Sequence, residues 1–110
     1  MSVFNSRYNP RVPADFTASV RSSSGDWVAK VLNLSAGGMQ VLGANGALLP
    51  GDLVEMRFRL LSGAQPIECF GEVVYHQGEQ LGIRFAWLSP KERRLLERFL
   101  TQSIGEAWFV

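Results

Sequence analysis

Asn33, Ser35 and Gly38 fall in the order N-x-S-x-x-G inside the stretch K-V-L-N-L-S-A-G-G-M-Q-V-L, which runs from Lys30 to Leu42. An apolar run stops at Asn33 and resumes at Met39, so two strands meet at a tight turn carrying small polar side chains. Asn33 and Ser35 are two residues apart, which in an extended segment puts an amide and a hydroxyl on one face and Leu34 on the other. The pair can then converge on one object. Gly37 and Gly38 permit positive φ and let the backbone approach a partner closely. A hydroxyl and an amide at such a place can instead simply close a hairpin as an Asx or Ser turn.

The other candidate lies upstream, in Arg7-Tyr8-Asn9-Pro10-Arg11. Guanidinium groups offer planar forks of donors suited to phosphates and base edges, and nine of the eleven basic residues are arginine. An R-x-x-x-R match arises by chance about 0.7 times at this arginine frequency, whereas [D/N]-x-S-x-x-G arises about 0.06 times. The second motif therefore carries most of the weight.

Catalytic groupings are sparse. His76 is the only histidine and lies in an alternating segment, where a solvated or packed ring is expected rather than a base or metal ligand. Cys69 sits among apolar neighbours and reads as a small hydrophobe. Glu68 and Glu72, on one strand face, would be roughly 13 Å apart, beyond the ~5–9.5 Å of a cooperating carboxylate pair. There is no phosphate-binding G-x-x-x-x-G-K-[ST] segment and no spaced Cys/His set. An enzyme is not expected, nor a metal or cofactor.

The elements that must position these residues are mostly strands. Residues 1–14 hold two arginines, no acid and Pro10 and Pro13, and read as an arm preceding the fold. Asp15–Arg21 alternates Phe16, Ala18 and Val20 against polar residues; Ser22–Asp26 is a loop, and Trp27–Leu34 comes next. Met39–Leu42 is a short strand, and Gly43–Asp52 a long connection. Leu53–Leu60 alternates most cleanly, with Val54, Met56, Phe58 and Leu60 on one side and Glu55, Arg57 and Arg59 on the other. Ile67–His76 has Glu68, Glu72 and His76 toward solvent and Gly71 as a bulge candidate. A hairpin through Gln77-Gly78-Glu79 leads into Leu81–Phe85, with Gly82 and Arg84 away from the core. Six strands joined mainly by short turns predict an antiparallel barrel or sandwich. Ser89-Pro90-Lys91-Glu92 then opens a helix with a capping Ser, a first-turn Pro and a Glu able to reach back. Leu95, Leu96, Phe99 and Leu100 form its apolar stripe, Gly105 its expected stop. The division is an arm (1–14), a barrel with its helix (15–104) and an apolar tail (105–110).

At 110 residues with 46% hydrophobic content, one folded domain is expected. A net charge of +1 disfavours DNA, RNA or anionic membrane as bulk partners. One Cys excludes an internal disulfide. No stretch is long enough to span a bilayer and no secretion signal is visible, so a cytoplasmic location without membrane insertion is the default expectation. The apolar Trp108-Phe109-Val110 end makes weak homodimerisation a further expectation.

From about Ser6 to Thr101 the chain resembles the PilZ domain family, receptors for the bacterial second messenger cyclic di-GMP. The likeness rests on Arg7 and Arg11 for its R-x-x-x-R motif, on Asn33, Ser35 and Gly38 for its D/N-x-S-x-x-G motif, on F-G-E-V-V-Y and L-G-I-R-F, and on L-S-P-K-E-R-R-L-L-E-R-F-L. Many members carry a further arginine just before the first, where this chain has Ser6. The resemblance implies a six-stranded antiparallel β-barrel with a C-terminal helix. It also implies a cyclic di-GMP site formed by Arg7, Arg11, Asn33, Ser35 and Gly38, and an arm, residues 5–11, that folds over the ligand and presents a changed surface to a downstream protein. Two other functions are open: a PilZ-like interaction module that binds no nucleotide, and a small barrel stacking single-stranded nucleic acid on Trp27 and Phe70. The lack of a basic stripe disfavours the last.

Overall fold

Leu53–Phe58 shows why this chain makes a barrel: Val54, Met56 and Phe58 are buried and Leu53, Glu55 and Arg57 exposed, the period of two that a pleated strand imposes. The computed structural model describes residues 11–43 and 47–108. In it the strands are β1 (Val12–Ser22), β2 (Gly25–Leu34), β3 (Gly38–Leu42), β4 (Leu53–Phe58), β5 (Ile67–Gln77) and β6 (Gln80–Trp87), followed by the helix α1 (Pro90–Trp108). Every neighbouring pair is antiparallel, and the order β1-β2-β3-β6-β5-β4 closes on itself. This is the six-stranded antiparallel barrel with a C-terminal helix expected from the sequence.

The barrel is filled by Val31, Leu34, Met39, Val41, Ile67 and Val73, all fully buried. Phe58 stacks between Phe16 and Phe85, with ring centroids 5.9 and 6.2 Å away. From α1, Leu96 and Leu100 enter this core, each contributing roughly 1.5–3 kcal/mol by leaving water. The helix begins as its sequence predicts. Ser89 Oγ accepts the Glu92 N–H at 3.1 Å and donates to Glu92 Oε1 at 2.9 Å. The other Glu92 oxygen accepts the Glu68 N–H at 2.7 Å, so one carboxylate joins the helix start to β5.

Several boundaries differ from the sequence reading. β1 begins at Val12 and includes Pro13, inside the stretch read as an arm. The β1–β2 register shifts between Pro13 and Phe16, and at such an irregularity a residue without an N–H is tolerated. Ser22–Asp26 is tighter than a loop: Ser22 already pairs with Gly25, whose φ of 141° suits glycine. Gly105 does not stop the helix, which continues to Trp108. A helical glycine costs only about 1 kcal/mol relative to alanine, so it is a weak terminator.

The connection between β3 and β4 is tied down. Leu48 is buried, its carbonyl lies 2.7 Å from His76 Nδ1, and the Gly51 and Val73 amides donate to Val73 O and Asp52 O at 2.7 and 2.9 Å. His76 is therefore a packed ring with a structural partner. Gly71 sits at a β5–β6 register shift, as anticipated. Gly82 points outward, as expected, but is buried beneath Tyr75: an added Cβ would lie 2.1 Å from that ring.

Candidate functional site

The site is assembled where β1, β2 and β3 lie side by side. The β2–β3 register shifts between Val31 and Asn33. The extra residue keeps Val31 and Leu34 both fully buried while Leu32 and Asn33 stay at the half-buried surface. Asn33 then stands opposite Pro13 of β1 on one side and Gln40 of β3 on the other. Because Pro13 is held there, Arg11 is delivered to the same place: its Nη1 donates to Asn33 Oδ1 at 2.8 Å. Asn33 Nδ2 in turn donates to Gln40 Oε1. A guanidinium and two carboxamides thus form a continuous row across three strands.

Ser35 is not part of that row. It is 1% exposed, and its hydroxyl is used inside the turn, accepting the Gly37 N–H at 3.2 Å and donating to Gly38 O at 3.4 Å. The Ser35 amide also donates to Gly38 O, at 2.9 Å. The expectation that Asn33 and Ser35 share a face assumed an unbroken strand. β2 ends at Leu34, so the alternation does not carry to Ser35 and its side chain turns inward.

Neither Gly37 nor Gly38 adopts positive φ; what Gly38 supplies is room. A Cβ there would lie 2.1 Å from Ile83 O and 3.0 Å from Arg84 Cα, so it admits the backbone of β6. The neighbouring Gly37 carbonyl accepts the Phe85 N–H at 2.8 Å. The turn is thereby sewn to β6, and the half-buried row beside it rests on a fixed backbone. Across from Gly38 on β6, Arg84 is ion-paired with Glu72.

The structure brings together Arg11 and Asn33 and sets Ser35 and Gly38 in the adjoining turn. Arg7 lies outside the described residues. Gln40 carried no sequence signal beyond its outward place in a short strand; only the register reveals its contact with Asn33. Cys69 is buried, and burial together with the nearby Glu92 carboxylate pushes its thiol from 9.0 up to about 12, the opposite of what a nucleophile needs. Among the described residues no group of three His, Cys, Asp or Glu side chains could hold a metal ion, and no helix is long and apolar enough to cross a membrane. A groove of about 770 Å³ runs between β1 and the chain following β4, past Phe16, Arg59, Leu61 and Phe99, and includes none of the described motif residues.

A small closed antiparallel barrel with a polar row at its β2–β3 turn defines the class. Residues 5–102 match the family model for the PilZ domain, and the chain belongs to that family. A search of curated proteins finds no match. Solved structures share the fold. The PilZ domain of YcgR from Escherichia coli, with c-di-GMP, is 17% identical, with a TM-score of 0.70 over 90% of this chain and 92% of that one. The K. pneumonia MrkH–c-di-GMP complex is 19% identical, with a TM-score of 0.75 over 90% of this chain and 52% of that one. The Bacillus subtilis inhibitor of motility MotI/DgrA is 18% identical, with a TM-score of 0.72 over 88% and 51%. This chain therefore spans about half the length of MrkH and MotI/DgrA.

Proposed function

We propose that this protein is a non-catalytic receptor for cyclic di-GMP, acting as an effector whose ligand-ordered arm alters its interaction with a partner protein. The observation that carries the reading is the 2.8 Å contact between Arg11 and Asn33, residues 22 positions apart that belong to the two halves of the expected site. Membership of the PilZ family supports it, as do the c-di-GMP complexes of YcgR and MrkH. The ligand offers two phosphates and two guanines, whose O6 and N7 accept and whose N1 and N2 donate. Arg11, with Arg7 from the arm, supplies a clamp for phosphate or the O6/N7 edge. Asn33 forms the ledge, and Ser35 and Gly38 act by holding the turn against β6.

Isothermal titration with cyclic di-GMP tests this directly. Wild type binds at micromolar concentration or tighter. Arg7→Ala and Arg11→Ala each lose a charge-assisted contact of roughly 1.5–3 kcal/mol, about 10- to 100-fold in affinity. Equal heats for all three proteins remove the clamp. GTP, cyclic AMP and short oligonucleotides do not compete.

The competing reading, a PilZ-like interaction module that binds no nucleotide, draws on Ser35, whose hydroxyl is spent within the turn. A wild type that gives no heat at any cyclic di-GMP concentration decides for it.

A further inference from the structure

We propose that Gln40 belongs to the ligand site in two capacities: its Oε1 holds the Asn33 carboxamide with Oδ1 toward Arg11, and its Nε2 donates to an acceptor of the bound ligand. The proposal rests on the cyclic di-GMP reading above.

A primary carboxamide has one acceptor oxygen and one donor nitrogen, and a half-turn exchanges them. In Asn33 both ends are engaged, Oδ1 by the Arg11 guanidinium and Nδ2 by Gln40 Oε1. Flipped, Asn33 would present N–H groups to a guanidinium that only donates, and an oxygen to another oxygen. Arg11 is exposed, so it cannot fix that choice alone. Gln40 emerges from the β3 backbone, opposite Asn33 on one side and Gly82 on the other. The β6 residue opposite it thus carries no side chain, and the Tyr75 ring of β5 covers that position. Among the described residues its Nε2 has no hydrogen-bond partner, and the residue is half-buried beside the Arg11–Asn33 contact. With one Arg11 N–H and both ends of Asn33 engaged, the Gln40 –NH2 is a further uncommitted donor of this row, beside the remaining N–H groups of Arg11. Such a donor suits a phosphate oxygen or the guanine O6/N7 edge, not a guanine N–H.

Two substitutions separate the capacities. Gln40→Glu keeps an oxygen for Asn33 Nδ2 but replaces the donor by an anionic oxygen facing the ligand. Gln40→Met keeps length and removes both functions. In the full-length protein without ligand, the Asn33 side-chain ¹H–¹⁵N amide pair should keep its wild-type shifts in Gln40→Glu and move to solvent-exposed values in Gln40→Met. Titration with cyclic di-GMP should show at least tenfold weaker binding for both.

Gln40→Glu binding within twofold of wild type overturns the donor role, and Asn33 amide signals unmoved by Gln40→Met overturn the holding role. A wild type that takes up no cyclic di-GMP removes the messenger reading and the donor role with it. The ligand-free Asn33 signals then decide the holding role by themselves.

Discussion

Gly38→Ala should destabilise the barrel before it says anything about ligand. The methyl carbon would lie 2.1 Å from Ile83 O, whereas carbon and oxygen in contact settle at about 3.3 Å or more. β3 must therefore retreat from β6 by about 1 Å at that end. The obstructing atoms are backbone, so no side-chain rotation relieves the clash. The Phe85 N–H to Gly37 O bond, now 2.8 Å, would pass beyond the useful range. So would the two bonds of the next hydrogen-bonded pair along the ladder, Met39 with Ile83. Losing about three hydrogen bonds at roughly 1 kcal/mol each gives about 3 kcal/mol, or a fall in Tm of roughly 10–20 °C for a domain of this size. Gly82→Ala is the control. Its methyl would also come within 2.1 Å of a neighbour, but that neighbour is the Tyr75 ring, which can swing aside for about 1 kcal/mol. Urea unfolding followed by tryptophan fluorescence compares the two. A Gly38→Ala protein unfolding at the wild-type urea concentration would refute the packing argument and return the glycine to a role facing the ligand.

Three further outcomes rest on the Cys69 thiol and the Glu92 carboxylate. The Cys69 proton is held more tightly in the native state, up to about 12 against 9.0, while the unfolded chain ionises first. Its stabilising contribution is full below about pH 9 and is lost as pH climbs toward 12, so urea midpoints should fall more steeply over that range for wild type than for Cys69→Ala. A thiol reagent at pH 8 should label Cys69 only after denaturation. Glu92→Ala removes acceptors from the Ser89 hydroxyl and the Glu68 amide; since water can reach that amide, the cost should be about 1–2 kcal/mol in chemical denaturation.

The alternation of Val54, Met56 and Phe58 and the Ser89–Glu92 start make the barrel and its helix legible in the sequence, because each rests on local periodicity or capping. Pro13 reads as arm because a proline argues against a strand unless the ladder is irregular there, and the irregularity belongs to the pairing with β2, not to β1 alone. The motif residues Arg11 and Asn33 are legible as types, but their contact depends on two register shifts that leave no mark in composition. Ser35 lands on the wrong face when strand geometry is carried one residue past the end of β2. Gln40 goes unnoticed because a glutamine in a short strand announces nothing until its cross-strand neighbour is known.

The irregularity at Val31–Asn33 makes β2 answer to two rulers at once. From Val31 to Asn33 it takes two steps where β3 takes one, between Val41 and Gln40; against β1 the same two steps face three, between Phe16 and Pro13. A chain lacking Leu32 would still turn Val31 inward, Asn33 outward and Leu34 inward, because side chains change face with every residue. Its ladder with β3 would become regular, and the hydrophobic interior would survive. The mismatch with β1 would instead double, carrying Arg11 out of reach of Asn33. Shortening the chain at this one spot would part Arg11 from Asn33 in a barrel that still folds, a separation of this contact from stability that truncating a single side chain does not achieve.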